Sequence, residues 1–228
     1  MVPWKDFDFG IARAAYGKSP DKKTQQHVAA IRAGGATLGL YHFFRADQDP
    51  HEQFSAFANV ARTANLGAGD LLPCVDIEDF QGHVIGPGDV DVCEDFVRRC
   101  RSEFGGVIIY ITQRDWHRLG KPVWMLQHPL WVAHYPGKGS TSILSKPATP
   151  NGAPWRIWQC MVGPLGKSLQ KHDDPYAVDQ NLASDPLPLI EAKPEQLPDS
   201  STIPWIGLTD EAYEEMREAR DRHVREES

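Results

Sequence analysis

This sequence predicts an α/β fold, specifically a β/α barrel whose later crossovers lack full helices. Three observations carry the prediction. Strand-like and helix-like stretches alternate through the first half of the chain, the pattern of parallel strands joined by helical crossovers. Later strands follow one another more closely, with loops where helices would stand. Polar and aromatic residues (Asp76, Glu78, Tyr110, Tyr135, Gln159, Asp179) fall late in their strands, the end at which such barrels carry their sites.

Each element has a local reason. Residues 7–14, Phe-Asp-Phe-Gly-Ile-Ala-Arg-Ala, alternate as a strand does. Ser19-Pro20-Asp21 offers a helix cap, a first-turn proline and an early acid. The helix that follows puts Thr24, Val28 and Ile31 on one face and stops at Gly34-Gly35. Residues 37–44 make a second strand around Leu40-Tyr41-His42-Phe43. Asp49-Pro50-His51-Glu52 reads as a capping box before a helix that buries Phe54, Phe57, Ala58 and Ala61. Residues 71–78 form the acidic strand. After Gly82, Gly86 and Gly88 comes a helix with Val92, Phe96, Cys100 and Phe104 at helical spacing. Strands at 106–112, 130–135, 155–160 and 176–179 complete the body, with a helical turn around Trp116 and Leu119 and a Gly/Ser/Pro-rich loop at 136–154. The domain so defined spans 1–190. A proline-rich linker follows at 191–208, then a charged helix at 209–228.

The acidic strand is where the chemistry is expected. Leu71-Leu72-Pro73-Cys74-Val75 is apolar and then releases Asp76, Glu78 and Asp79. Side chains alternate on a strand, so Asp76 and Glu78 share a face, roughly 6.6 Å apart along it. Two half-buried carboxyls that close cannot both ionise freely, and one holds its proton longer. An acid beside an anion is what glycosidic cleavage requires. Most Asp-x-Glu pairs are surface acids, and the apolar run before this one sets it apart.

Composition excludes several other functions. The 228 residues allow one sizeable core, with ordinary apolar (41%) and charged (24%) content. The net charge of −7 sits almost wholly after residue 194, where ten acids face four arginines. The remaining body, 21 acids against 20 bases, has no basic surface for nucleic acid. The four cysteines, 74, 93, 100 and 160, lack metal-ligand or bridge spacing and read as mostly buried thiols. His42 and His134 lie in apolar strands and read as structural. There is no zinc-type spacing and no Gly-x-Ser-x-Gly elbow, so no metal or cofactor is expected. No apolar run is long enough to cross a bilayer and no leader h-region opens the chain.

Several blocks then resemble one family in register: Gly39-Leu40-Tyr41-His42-Phe43-Phe44-Arg45 with Asp49-Pro50, Leu72-Pro73-Cys74-Val75-Asp76-Ile77-Glu78, Ile109-Tyr110, Pro129-Leu130-Trp131-Val132-Ala133-His134-Tyr135, Trp158-Gln159 and Val178-Asp179-Gln180-Asn181. Together they resemble the family-25 glycoside hydrolases, the Chalaropsis-type muramidases common in phage endolysins. The resemblance implies an irregular, flattened barrel that cuts the β-1,4 bond between N-acetylmuramic acid and N-acetylglucosamine. It implies Glu78 as general acid, Asp76 as the group that orients or stabilises the reacting acetamido group or the developing cation, and Asp179 as part of the acidic floor. Tyr41, Tyr110, Trp131 and Tyr135 would line the sugar groove, with Gln159 beside them. The expected partner is the peptidoglycan glycan strand, met after release from the cytoplasm of the producing cell as phage enzymes are.

Two departures from the family pattern stand out. No segment before Phe7 matches the family's first strand, a Gly-x-Asp-x-Ser type motif, so the expected barrel lacks that strand, and its counterpart is expected upstream in the same reading frame. The family's Lys-Ala-Thr-Glu-Gly appears as Arg13-Ala14-Ala15-Tyr16-Gly17. The alternative to an active muramidase is a non-catalytic wall-binding or virion component that keeps the groove.

Overall fold

The computed structural model describes residues 2, 4–80, 82–134, 147–161 and 179–191. All belong to one compact unit, Met1–Ala192. The linker and charged helix expected beyond it, like Tyr135, lie outside the described residues.

Eight strands form one curled sheet in the order β2-β1-β3-β4-β5-β6-β7-β8. The strands are β1 (Phe9–Tyr16), β2 (Ser19–Pro20), β3 (Thr37–Phe43), β4 (Cys74–Asp76), β5 (Ile108–Tyr110), β6 (Leu130–Ala133), β7 (Ile157–Met161) and β8 (Gln180–Ala183). From β1 through β3 to β7 every neighbour pair is parallel, while β2 and β8 are antiparallel edges. Among the described residues β1 and β8 do not pair with each other. The expected barrel is therefore seen as an open, curled half-barrel.

Alternation along each strand sorts side chains to two faces. Leu38, Leu40 and His42 of β3, Val75 of β4 and Ile109 of β5 are buried on the outer face. There they meet helices α1 (Thr24–Ala33), α2 (Pro50–Thr63) and α3 (Val90–Phe104) in the main core. The intervening residues form a smaller inner core of Leu71, Cys74, Ile108, Tyr110, Trp131 and Ile157. Gly39 faces that inner side, where a Cβ would lie 2.9 Å from Leu71 Cδ1 and 3.0 Å from Ile11 Cγ1. Leu187 packs at the inner core, and Leu189 bridges Leu71.

Helix ends follow their residues, with two corrections. Asp49 caps α2 by accepting the Glu52 N–H at 2.8 Å, with Pro50 in the first turn. Glu52 turns outward to Lys18 (2.9 Å) instead of completing a capping box. Gly105 ends α3 at φ 80°, a left-handed angle that suits glycine. The expected cap at Ser19-Pro20-Asp21 does not form. Ser19 and Pro20 make the edge strand β2, where proline's missing N–H is tolerated. Helix α1 starts later, at Thr24, without a side-chain cap. Asp21 serves elsewhere.

The structural reading of His42 has its reason in Gln53. Gln53, buried in α2, donates to the Arg45 and Gln48 carbonyls (2.8 and 3.1 Å), which fixes its amide. Its Oε1 therefore faces His42 Nε2 at 3.2 Å, so that nitrogen carries the hydrogen. His42 stacks on Phe96 at 4.5 Å and is structural. Trp158 is buried in the outer core with Trp155 against it. Cys74, Cys93 and Cys100 are buried free thiols.

Candidate active site

The parallel strands all run toward one end, and their last inward side chains meet in a cleft of about 660 Å³. Asp76 ends β4, and Glu78 lies two residues on, past the strand. Both line the cleft, as do Tyr41, Tyr110, Trp131 and Gln159 from β3, β5, β6 and β7. Register aligns them: Tyr110 stands opposite Asp76 and Trp131 opposite Tyr110.

Asp179 arrives by a different route from the one the sequence suggests. No strand ends there within the described residues; β8 begins one residue later and runs antiparallel to β7. Its start, not its end, therefore lies level with the C-terminal ends of the parallel strands. Gln159 Nε2 donates to Asp179 Oδ2, and Trp131 Nε1 donates to Asn181 Oδ1 at 2.9 Å. Trp131 also meets Tyr110 edge-on at 5.0 Å and Tyr41 at 6.4 Å, giving the cleft a rigid aromatic wall.

The carboxyls differ in their surroundings. Asp76 is only 9% exposed, and its Oδ1 has no hydrogen-bond partner among the described residues. Burial first, and the neighbouring Glu78 charge second, raise its pKa well above the ordinary aspartate value. Glu78 is half-buried and also raised, by burial and then by Asp115, with Arg114 opposing. Burial raises Asp179 while the bond from Gln159 opposes. The Tyr41 phenol is pushed up to about 12 by burial and then by Asp76. Protons in this cleft are thus held at higher pH than on free carboxyls.

Two polar residues, Asp115 and Arg13, escape the sequence pattern. Asp115 is fully buried on α4 (Gln113–Arg118), holding Thr112 Oγ1 at 2.6 Å and Arg114 Nε at 2.8 Å. Its signal was the Thr112-x-x-Asp115 spacing, a capping pattern. Asp79, next to Glu78, takes Arg118 and the Ile85 N–H. Arg13, on β1, lines the cleft and pairs with Asp21. Its signal was the alternation that puts it on one face with Phe9 and Ile11. Among the described residues no cluster of His, Cys, Asp or Glu could hold a metal ion.

Paired carboxyls at the end of a parallel strand, in a cleft walled by aromatic rings, are the arrangement that glycoside cleavage uses. The chain matches the model of the glycosyl hydrolases family 25 over residues 7–161 and belongs to that family. Solved structures agree on the fold. A bacterial lysozyme from Streptomyces coelicolor is 22% identical over 80% of this chain and 86% of its own, with TM-score 0.64. A family 25 glycosyl hydrolase from Bacillus anthracis is 21% identical over 80% and 83%, with TM-score 0.62. The catalytic domain of an endolysin from a Listeria monocytogenes bacteriophage is 23% identical over 79% and 84%, with TM-score 0.56. No curated protein matches in sequence. Among the described residues no helix is long and apolar enough to cross a membrane.

Proposed function

We propose that this chain is a muramidase, cutting the β-1,4 bond between N-acetylmuramic acid and N-acetylglucosamine in peptidoglycan and so lysing bacterial walls. The observation that carries this reading is Asp76 beside Glu78 at the mouth of β4, one carboxyl buried with an unpartnered oxygen and the other half-exposed. Glu78, the more accessible and with a raised pKa, keeps a proton to give to the leaving sugar oxygen. Asp76, fixed in the strand, offers its free Oδ1 to the acetamido N–H or to the charge that develops at the anomeric carbon. Asp179 extends the acidic floor, and Tyr41, Tyr110, Trp131 and Gln159 bind the sugars; Tyr135 is assigned to the same groove. The endolysin resemblance of the fold supports action on the wall after release from the producing cell.

Mass analysis of digested walls tests the bond. The reading requires new reducing ends on N-acetylmuramic acid; ends on N-acetylglucosamine, or none, would remove it. A wall-binding protein without catalysis is the second reading. It is favoured by the way the cleft passes Gly10 and Ile11, on the part of β1 that β2 does not pair, to reach His27 and Ile31 on the helix side. Sedimentation with walls and no new ends would select it.

A further inference from the structure

The mouth of the cleft holds an aromatic ring that the sugar wall does not include. Phe43, the last residue of β3, stands level with Asp76, and Asp76 stands level with Tyr110. Backbone bonds tie this level across three strands. Phe44 N–H donates to the Asp76 carbonyl at 3.0 Å, and Ile77 N–H to the Tyr110 carbonyl at 3.1 Å. Asp76 therefore has an aromatic residue on either side, each one strand spacing, about 4.8 Å, away. Tyr110 belongs to the wall with Trp131. Tyr41, two residues deeper than Phe43 on β3, meets Trp131 edge-on and belongs there too. Phe43 stands on the opposite side, partly buried and lining the cleft.

Phe43 is braced from behind. Its ring stacks on Tyr16 of β1 at 4.7 Å, with 25° between the planes. It meets Phe80 near a right angle at 6.5 Å. Arg45 holds both supports, its guanidinium carbon lying 5.3 Å from the Tyr16 ring centre and 4.5 Å from that of Phe80. Asp47 fixes Arg45 through bonds of 2.9 and 2.6 Å. A ring held this way offers apolar surface with little side-chain freedom left to lose on binding.

We propose that Phe43, backed by Tyr16, is the platform on which a sugar ring of the glycan stacks, on the side of Asp76 and Glu78 opposite the Tyr110–Trp131 wall. This rests on the reading of the cleft as one that cuts inside a glycan chain. A bond cut within a chain has sugars on both sides, and holding both fixes the reacting centre between them. The Tyr110–Trp131 wall serves one side only. β-1,4-Linked sugars keep their ring substituents equatorial, so their axial C–H groups form an apolar face that a flat ring can cover.

The test needs no turnover. The probe is a peptidoglycan tetrasaccharide of two N-acetylglucosamine–N-acetylmuramic acid repeats, bound to the full chain carrying Glu78→Gln so that it stays whole. NMR should show nuclear Overhauser contacts between sugar ring C–H protons and the Phe43 ring. In the same background Phe43→Ala should weaken binding by at least about tenfold, the low end of what burying one such ring contributes. Phe43→Tyr should keep the parental affinity. Tyr16→Leu, which removes only the brace, should weaken binding by less and keeps the test alive if Phe43→Ala does not fold. No sugar contact at Phe43, parental affinity in Phe43→Ala, or a tetrasaccharide that does not bind would each overturn the proposal. The two readings fail separately. Contacts at Phe43 with a tetrasaccharide left uncut by the chain with Glu78 intact would refute the muramidase reading and leave the platform standing. Normal cutting by a Phe43→Ala chain of undiminished affinity would do the reverse.

Discussion

Two buried carboxylates on the same sheet are treated in opposite ways. Asp70, before β4, is 3% exposed, and the Arg32 guanidinium meets both its oxygens while Gly67 N–H adds a third bond at 3.0 Å. Asp76, at the other end of β4, is buried with one oxygen that has no partner among the described residues. Buried charge is normally paired because an unpaired one is costly. The base of the sheet follows that rule and the mouth breaks it. The same division separates the faces. Outward residues such as Phe57, Phe96 and Leu40 are packed at 0% exposure, whereas the inward carboxyl of Asp76 and amide of Gln159 each keep an oxygen without a partner among the described residues, as the outer core does only at two ring nitrogens, His42 Nδ1 and Trp124 Nε1. One face holds the fold, and the other keeps binding capacity in reserve.

The largest effect should come from Glu78→Gln. General acid catalysis contributes roughly 10²–10⁴-fold, so wall lysis should fall by about that factor while the melting temperature stays nearly constant. Near-normal lysis would remove Glu78 from its role, and a collapsed melting temperature would blur the two faces. Asp76→Asn should separate them further, losing activity but gaining stability at neutral pH. The sign follows from the raised pKa: the folded chain holds this proton more tightly than the unfolded chain. Stability therefore falls as pH rises from the unfolded aspartate value through the folded one. The neutral amide escapes that loss, so the gain should vanish below about pH 4, near the free aspartate pKa. Urea melts at both pH values decide it.

The outer face should respond in the opposite sense. Phe96 is fully buried against His42, Phe44 and Phe54. Phe96→Ala should cost about 3–5 kcal/mol of stability, with per-molecule activity retained in whatever fraction stays folded. His42 gives this face its pH dependence. Burial lowers its pKa from 6.5 to about 4. The unfolded chain takes up the proton first, so stability is full above pH 6.5 and is lost as pH falls toward 4, by about 3 kcal/mol in all. His42→Phe should flatten that window, because Gln53 Oε1 keeps the Arg45 N–H at 2.9 Å. An unchanged acid limb would place the sensitivity elsewhere.

How far this division could be read in the sequence depended on whether the signal was local. Position late in a strand pointed to Asp76, Tyr110 and Gln159, the family resemblance added Tyr41 and Trp131, and all five line the cleft. Asp49-Pro50 fixed the start of α2 because a cap needs only its own turn. The misses are tertiary. Ser19-Pro20-Asp21 has the chemistry of a cap, but Ala15 and Tyr16 draw the first two residues into a strand pair and Arg13 claims the third. The reversed direction of β8 could not be read from Asp179-Gln180-Asn181, since the edge of β7 can take a strand of either direction. Gln53 looks like a surface residue on α2 until three backbone groups and a histidine converge on it.

The smallest effect expected tests how much the cleft's aromatic wall contributes to the fold. Trp131 bridges the two classes of residue: its ring packs in the inner core, while its Nε1 reaches Asn181 at 2.9 Å on β8. Trp131→Phe keeps most of the packing and deletes that one donor. The net loss should be about 0.5–1.5 kcal/mol, toward the lower end because Asn181 is only partly buried and water can replace the indole. The consequence for binding should be more visible than the cost in stability. Asn181 sits two residues from Asp179, so loosening it should raise KM for wall fragments with little change in kcat, and chemical-shift changes should concentrate at residues 179–183. A fall in kcat with KM unchanged would instead place Trp131 in the chemical step, and a stability loss comparable to that of Phe96→Ala would mean the inner wall holds the sheet together as much as the outer core does.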